Sequence, residues 1–202
     1  MRPLLFLLCR RLRKAMVNPL RERLVGTVEV DDFFVGGAEK DVCGRGTKSK
    51  VVCVAAVENR GTHASRIRLE VIPDASGEVL HSFVNWNVAP GSRINTDGWS
   101  GYSGLGIYGY QHKPRIQGTQ ERAGKVLPWV HRVIGNLKTW LRGTHQGVDP
   151  EHLQEYRDEY TFRFNRRHIR EQGFLSLLII ATRVKPLNTR KGILARPSGY
   201  FV

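Results

Sequence analysis

Residues 92–102 read SRINTDGWSGY, and this stretch decides between the folds that the rest of the chain allows. Ile94 and Thr96 predict a short strand, which Gly98 ends. Asp97 therefore stands at the carboxyl end of a buried strand. An acid in that place is either a cap for the next element or a metal ligand, and the sequence on either side has to separate the two roles.

Three further strands are predicted before this stretch. They are LVGTVEVD (24–31), KVVCVAAVE (50–58) and RIRLEVI (66–72), which are rich in Val and Ile and are separated by turn residues. Their short connections favour an antiparallel meander. The next segment, SGEVLHSFVNWNV (76–88), has apolar residues at helical spacing, and IYGYQH (107–112) predicts a fifth strand.

The carboxyl-terminal half is mainly helical. After a polar, basic loop at 113–127, helices are predicted over 128–142, roughly 150–167 and 173–183. This order of elements matches the α/β ribonuclease-H-like fold, a mixed sheet of three antiparallel strands followed by parallel strands, with C-terminal helices. The fourth strand of that fold lies beside the first. The strand ends that carry Asp31 and Asp97 are therefore predicted to be neighbours.

The composition predicts a globular protein that meets a polyanion. Of 202 residues, 41% are hydrophobic, which excludes general disorder, and 32 Lys and Arg against 18 Asp and Glu give a net charge of +14. A balance this basic favours nucleic acid as the partner, although a merely basic soluble enzyme is the alternative. Three cysteines without C-x-x-C spacing fit a reducing cytosol. Because no apolar run approaches the roughly 18 residues that span a bilayer, we expect a cytoplasmic protein with no membrane contact.

A pair of neighbouring carboxylates has a defined chemistry. Two such groups repel each other unless a cation lies between them, and Mg²⁺ prefers oxygen ligands. Two ions about 3.5–4 Å apart can activate a nucleophile and stabilise the leaving oxygen of a phosphodiester. The alternative is that each aspartate only forms a turn, as most aspartates after strands do.

Four ordered motifs resemble one transposase family. They are VEVDDFFVGG (28–37), INTDGWSGY (94–102), LPWVHRVIGNLKTWLRGTHQGV (127–148) and YRDEYTFRFNRR (156–167). Together they resemble the ISXO-like insertion-sequence transposases, which are DDE-type enzymes with a ribonuclease-H-like catalytic domain. The resemblance extends from about residue 10 to about residue 183, nearly the whole chain.

The resemblance implies a Mg²⁺- or Mn²⁺-dependent polynucleotidyl transferase that binds two metal ions, with Asp31 and Asp97 as the first ligands. Such an enzyme hydrolyses DNA at the transposon ends and transfers the freed 3′-hydroxyl into target DNA. The third catalytic position falls on Asn136, and Asp32 replaces the glutamate that usually follows the first ligand. Members of the group carry either Asn or an acid at the third position, so a nearby glutamate such as Glu159 remains an alternative ligand.

The same motifs imply a set of basic DNA contacts. The candidates are Arg132, Lys138, Arg163 and Arg166. For Lys138 the alternative is a solvated helix charge, and Glu159 with Arg163 at i, i+4 also forms a standard stabilising helix pair. His131 belongs to the motif as well, although a lone helix histidine is most often structural.

The family relationship implies three segments. Residues 1–23 form a basic, helical lead, a remnant of the DNA-binding region, residues 24–185 form the catalytic domain, and residues 186–202 form a basic tail. Relatives are expected to carry an amino-terminal zinc ribbon and a helix-turn-helix, and neither pattern occurs here. The expected partners are transposon ends, target DNA and further copies of the chain in a synaptic complex on the nucleoid. Two rivals are a nuclease without strand transfer and an inactive, truncated copy that only binds DNA.

Overall fold

The computed structural model describes residues 12–36, 50–115, 126–145, 148 and 150–183. Its strands are β1 (Thr27–Val35), β2 (Val51–Asn59), β3 (Ala64–Val71), β4 (Arg93–Thr96) and β5 (Gln111–Pro114). Its longer helices are α1 (Gly77–Asn87), α2 (Pro128–His145), α3 (Leu153–Asn165) and α4 (Gly173–Arg183). Single 3-10 turns lie at Ser100–Tyr102, Leu105–Tyr108, Pro150–His152 and Arg170–Gln172.

The five strands form one mixed sheet in the order β3-β2-β1-β4-β5. The first three strands are antiparallel, whereas β4 pairs with β1 and with β5 in parallel. A parallel neighbour needs a crossover, and α1 supplies it between β3 and β4. This order and these directions confirm the predicted ribonuclease-H-like fold, with the fourth strand beside the first.

Alternate residues of β1 face two separate cores. Val28 and Val30 lie on the face covered by α1, together with Tyr102. Phe33 lies on the opposite face among apolar residues of α2 and α3. Because side chains alternate along a strand, Glu29 and Asp31 share the α2 face with Phe33. The strand therefore presents its acids toward α2.

The outer edge of β3 is covered by side chains of α3 and the residues just after it. Asn165 accepts from the Ile67 N–H at 2.8 Å and donates to the Ile67 carbonyl at 3.2 Å. Gln154 accepts from the Val71 N–H at 2.7 Å, and Arg167 donates to the carbonyls of Ser65 and Ala64. We call this contact the α3 seam. It satisfies backbone groups that an open sheet edge would leave unpaired.

One local prediction was wrong, and a second holds for only some of its described residues. IYGYQH is not one strand, because a 3-10 turn occupies Leu105–Tyr108 and Gly109, at φ +82°, ends it before β5 begins at Gln111. The lead is helical only at 12–15 within its described part. Beyond that turn Asn18 accepts from the Leu20 N–H at 3.0 Å, a local turn that competes with helix. The tail 186–202, residues 1–11 and most of the 113–127 loop lie outside the described residues.

Candidate active site

The register of the sheet directs Asp97 toward the part of β1 that carries Asp31. Val28 pairs with Ile94 and Glu29 with Asn95, and the same offset, carried two residues past this last pair, relates residue 31 to residue 97. β4 ends at Thr96, so Asp97 is the first residue beyond the strand. Paired strands lie about 4.8 Å apart. Two acids separated by 66 positions in sequence are thus brought to the same end of the parallel pair.

Tyr102 marks the point where three aspartates converge. Its side chain is fully buried, and its hydroxyl donates to Asp32 Oδ1 at 3.4 Å. Burial raises the pKa of Tyr102 well above its ordinary value, and the negative charges of Asp32, Asp31 and Asp97 add to the effect. The phenol therefore stays neutral and serves as a donor. We call Asp31, Asp32 and Asp97, together with Tyr102, the acidic edge.

Asp97 also performs the structural role that its position suggested. Its Oδ1 accepts from the Trp99 N–H at 3.1 Å and so caps the turn that leads into the Ser100–Tyr102 helix. The Trp99 indole donates to the Ala75 carbonyl at 3.0 Å and is 38% exposed, so Trp99 lies at the surface of the turn and not in the core. A turn contact uses one carboxylate oxygen and is compatible with metal binding by the other.

His131 brings α2 against the acidic edge. Its Nε2 lies 3.1 Å from Asp31 Oδ2, and both side chains are partly buried. Seven residues along a helix return to nearly the same side, so Lys138 follows His131 on this face. The Lys138 ammonium lies 5.6 Å from the centre of the Phe33 ring. Lys138 is therefore placed along the same strand as Asp31, two residues farther on.

Asn136 occupies a different side of α2. It lies about 140° around the helix from His131. Its side chain is exposed, whereas Lys138 is partly buried. The helix thus places His131, and not Asn136, in contact with Asp31. The assignment of Asn136 as third metal ligand stays a prediction.

Glu29 holds the start of α2, a role that the sequence patterns did not reveal. Its Oε2 accepts from the backbone N–H groups of Trp129 and Val130, each at 2.9 Å, and its Oε1 accepts from Asn59 Nδ2 at 2.9 Å. Only 1% of Glu29 is exposed. Burial raises the pKa of Glu29, and the two backbone donors partly oppose the increase. The signal in the sequence was an acid on the face of β1 that also carries Asp31.

The three arginines predicted to contact DNA differ in their exposure and in the protein groups that they already contact. Arg132 is exposed, with its guanidinium 4.8 Å from the Trp129 ring centre. Arg166 is half-buried and lies 4.1 Å over Phe162. Arg163 is mostly exposed but pairs with Glu159 at 2.8 Å. All three could meet phosphate, with Arg132 the least committed to a protein partner in its described contacts.

Glu159 lies in a structural ion cluster. It accepts from Arg13 Nε at 2.7 Å and from Arg163 Nε at 2.9 Å. Burial alone would raise the pKa of Glu159, but these two guanidinium groups outweigh burial and lower it. α3 packs on β3, which β2 separates from β1. This position favours a structural role for Glu159 over the predicted catalytic one.

The acidic edge fits a divalent cation in its chemistry. Hard ions such as Mg²⁺ take carboxylate oxygens and retain several waters, so two aspartates from neighbouring strands are a sufficient protein contribution. Within the described residues, no group of three or more His, Cys, Asp or Glu side chains is arranged to hold a metal ion. A metal here would therefore rely on Asp31 and Asp97, with water or substrate oxygens completing its coordination.

Comparisons with known proteins identify one family. The family model described as "ISXO2-like transposase domain" matches residues 23–165. Among solved structures, the crystal structure of the Mos1 strand transfer complex matches with a TM-score of 0.44 and 10% sequence identity. That match covers 88% of this chain and 62% of the other. No curated protein matches the chain.

No helix in the described parts of the chain is long and apolar enough to cross a membrane.

Proposed function

Because the chain belongs to the ISXO2-like transposase domain family, we propose that it cuts transposon ends and joins them to target DNA in a reaction that depends on Mg²⁺ or Mn²⁺. The observation that carries the proposal is the parallel register of β1 and β4, whose offset, extended past the last pair, relates Asp31 to Asp97. A second observation supports it: besides burial, the charges of Asp31, Asp97 and Asp32 all contribute to raising the pKa of Tyr102.

Asp31 and Asp97 are the proposed metal ligands in this reaction. When bound, the cations would activate the attacking water or 3′-hydroxyl and stabilise the leaving oxygen. Tyr102 keeps a neutral donor beside Asp32. His131 fixes the orientation of the Asp31 carboxylate through the 3.1 Å contact with its Oδ2. Asn136 stays in the proposal as a third ligand that would require its exposed amide to approach the acids.

DNA binding rests on the basic surface. The net charge of +14 attracts a polyanion, and Arg132 and Lys138 project from the same helix as His131. We assign these two side chains to backbone phosphate near the scissile bond, and Arg163 and Arg166 to more distant phosphates. Binding of this kind weakens steeply with salt, because each phosphate contact releases counterions. Assembly into a synaptic oligomer in the cytoplasm, on the nucleoid, belongs to the same proposal.

Incubation with transposon-end DNA and a circular target tests the function. Joined products that require Mg²⁺ support a transposase. Cleavage without joining would instead identify a nuclease, and metal-independent DNA binding without any cleavage would identify an inactive DNA-binding copy. The Asp31→Asn variant serves as the control, since it should bind DNA but form no product.

A further inference from the structure

We propose that Glu29 is a positioning residue that docks the start of α2 onto β1 and thereby sets His131 against Asp31. The catalytic part of this inference rests on the proposed function. The structural part rests on contacts alone, and the two parts can be tested separately.

The start of α2 lacks a cap from its own sequence. The residue before the helix is Leu127, which has no side-chain acceptor, and Pro128 at the first helical position has no N–H. The next two N–H groups, from Trp129 and Val130, both donate to Glu29 Oε2. A strand residue therefore does the work that a Ser, Thr or Asp normally does at a helix start.

The docking geometry extends directly to Asp31. Glu29 and Asp31 are two residues apart on one strand and so face the same side of the sheet. Trp129, Val130 and His131 are consecutive in the helix. Fixing the first two against Glu29 holds the next residue, His131, on the side of the sheet that carries Asp31, and His131 Nε2 lies 3.1 Å from Asp31 Oδ2.

A carboxylate suits this place better than its neutral analogue. The amino end of a helix carries partial positive charge, which favours an anion. Glu29 Oε1 also faces the Asn59 amide nitrogen, whose orientation is fixed because Asn59 Oδ1 accepts from the Gly61 N–H. In Glu29→Gln one side-chain oxygen can still serve the helix, but an amide nitrogen would then face the Asn59 donor. Glu29→Ala loses both contacts.

The first test is amide hydrogen exchange in the full chain without metal or DNA. In Glu29→Ala, exchange at Trp129 and Val130 should accelerate at least about tenfold, and less in Glu29→Gln. The matched control is Asn165→Ala, which weakens the α3 seam and should leave these two amides unchanged. Unchanged exchange at Trp129 and Val130 in Glu29→Ala would overturn the docking role. Equal acceleration in Glu29→Ala and in the control Asn165→Ala would overturn it as well.

The second test is the rate of DNA cleavage at a temperature where every variant is folded by circular dichroism. Glu29→Ala should lower kcat about 10- to 100-fold with little change in KM for DNA, and Glu29→Gln should recover part of the loss. Asn165→Ala should keep the wild-type kcat. A wild-type kcat in Glu29→Ala would overturn the catalytic part. If wild-type protein cleaves nothing, the proposed function fails, and the exchange result still decides the docking role.

Discussion

The acidic edge lies on β1 and the end of β4, whereas the α3 seam lies along β3, with β2 between β1 and β3. The two regions use their polar groups differently. Along the seam, Asn165 and Arg167 bind backbone groups of β3, so their hydrogen bonds are used within the fold. At the acidic edge, the neutral hydroxyl of Tyr102 donates to Asp32, and the charges of Asp32, Asp31 and Asp97 all help to raise its pKa. Their described partners include a phenol, one backbone N–H and one imidazole.

The difference separates structural from chemical use of polar residues. Polar groups that complete a sheet edge stabilise the folded chain through hydrogen bonds made within it. Like charges that are brought together lower stability unless a cation joins them. Motif residues of both regions look equally functional in the sequence, and only their partners distinguish them.

The largest expected effect comes from Asp97→Asn. Loss of a metal ligand should lower Mg²⁺-dependent cleavage by more than about 100-fold. Stability should be unchanged or higher, because the amide oxygen can still accept from Trp99 while one of three clustered charges is removed. Cleavage assays and urea unfolding measure the two effects. Asp74→Asn is the matched control, since Asp74 makes a similar turn contact with the Ser76 N–H at 2.8 Å.

The fold was predictable because strands and helices follow from local sequence patterns, and the order of these elements along the chain then indicates the fold. Valine-rich strands, helical spacing and the order of elements sufficed to place β4 beside β1, as the sheet confirms. The contacts of the site were less accessible. Glu29 reaches the start of α2 across 100 positions in sequence, and the side of α2 that meets Asp31 depends on how the helix is docked. That docking explains why His131, which the sequence analysis treated as structural, contacts Asp31, whereas the predicted ligand Asn136 is exposed.

The seam can be broken by Asn165→Ala. Two hydrogen bonds to Ile67 are lost and the edge of β3 is left with unpaired groups, so the free energy of unfolding should fall by about 2 kcal/mol. Cleavage per folded molecule should not change. Asn18→Ala removes a single contact in an exposed turn and should cost less than about 1 kcal/mol. A loss of cleavage without loss of stability in Asn165→Ala would contradict the separation of the two regions.

Arg157 offers a change of the opposite sign. It is fully buried, and within the described residues no oxygen acceptor meets its guanidinium, whose described neighbours are the Cys53 thiol and the Phe33 ring at 5.5 Å. Burial lowers the pKa of Arg157. Replacing it with Met should raise the free energy of unfolding by about 1–2 kcal/mol, because an apolar chain of similar length avoids the cost of a desolvated charge. The exposed Arg142→Met serves as control with no expected change, and a destabilised Arg157→Met would show that the charge supports the core.

The smallest effect is the pH dependence that Glu159 contributes. Its pKa is lowered in the folded chain, so its contribution to stability is present above the ordinary carboxyl pKa of 4.5 and is lost as pH falls through the lowered value. Glu159→Gln should therefore be less stable than wild type at neutral pH, by under about 1 kcal/mol. The gap should close as the pH falls through the lowered pKa of Glu159, as measured by urea unfolding. A gap that widens toward acid would reverse the assigned sign.

The central claim is that Asp31 and Asp97 form a cation site for DNA chemistry. The most direct measurement is anomalous diffraction from crystals soaked in Mn²⁺. The expected result is a peak bound by both carboxylates in the wild type and none in Asp97→Asn. No peak at the acidic edge, or carboxylates more than about 8 Å apart, would contradict the claim.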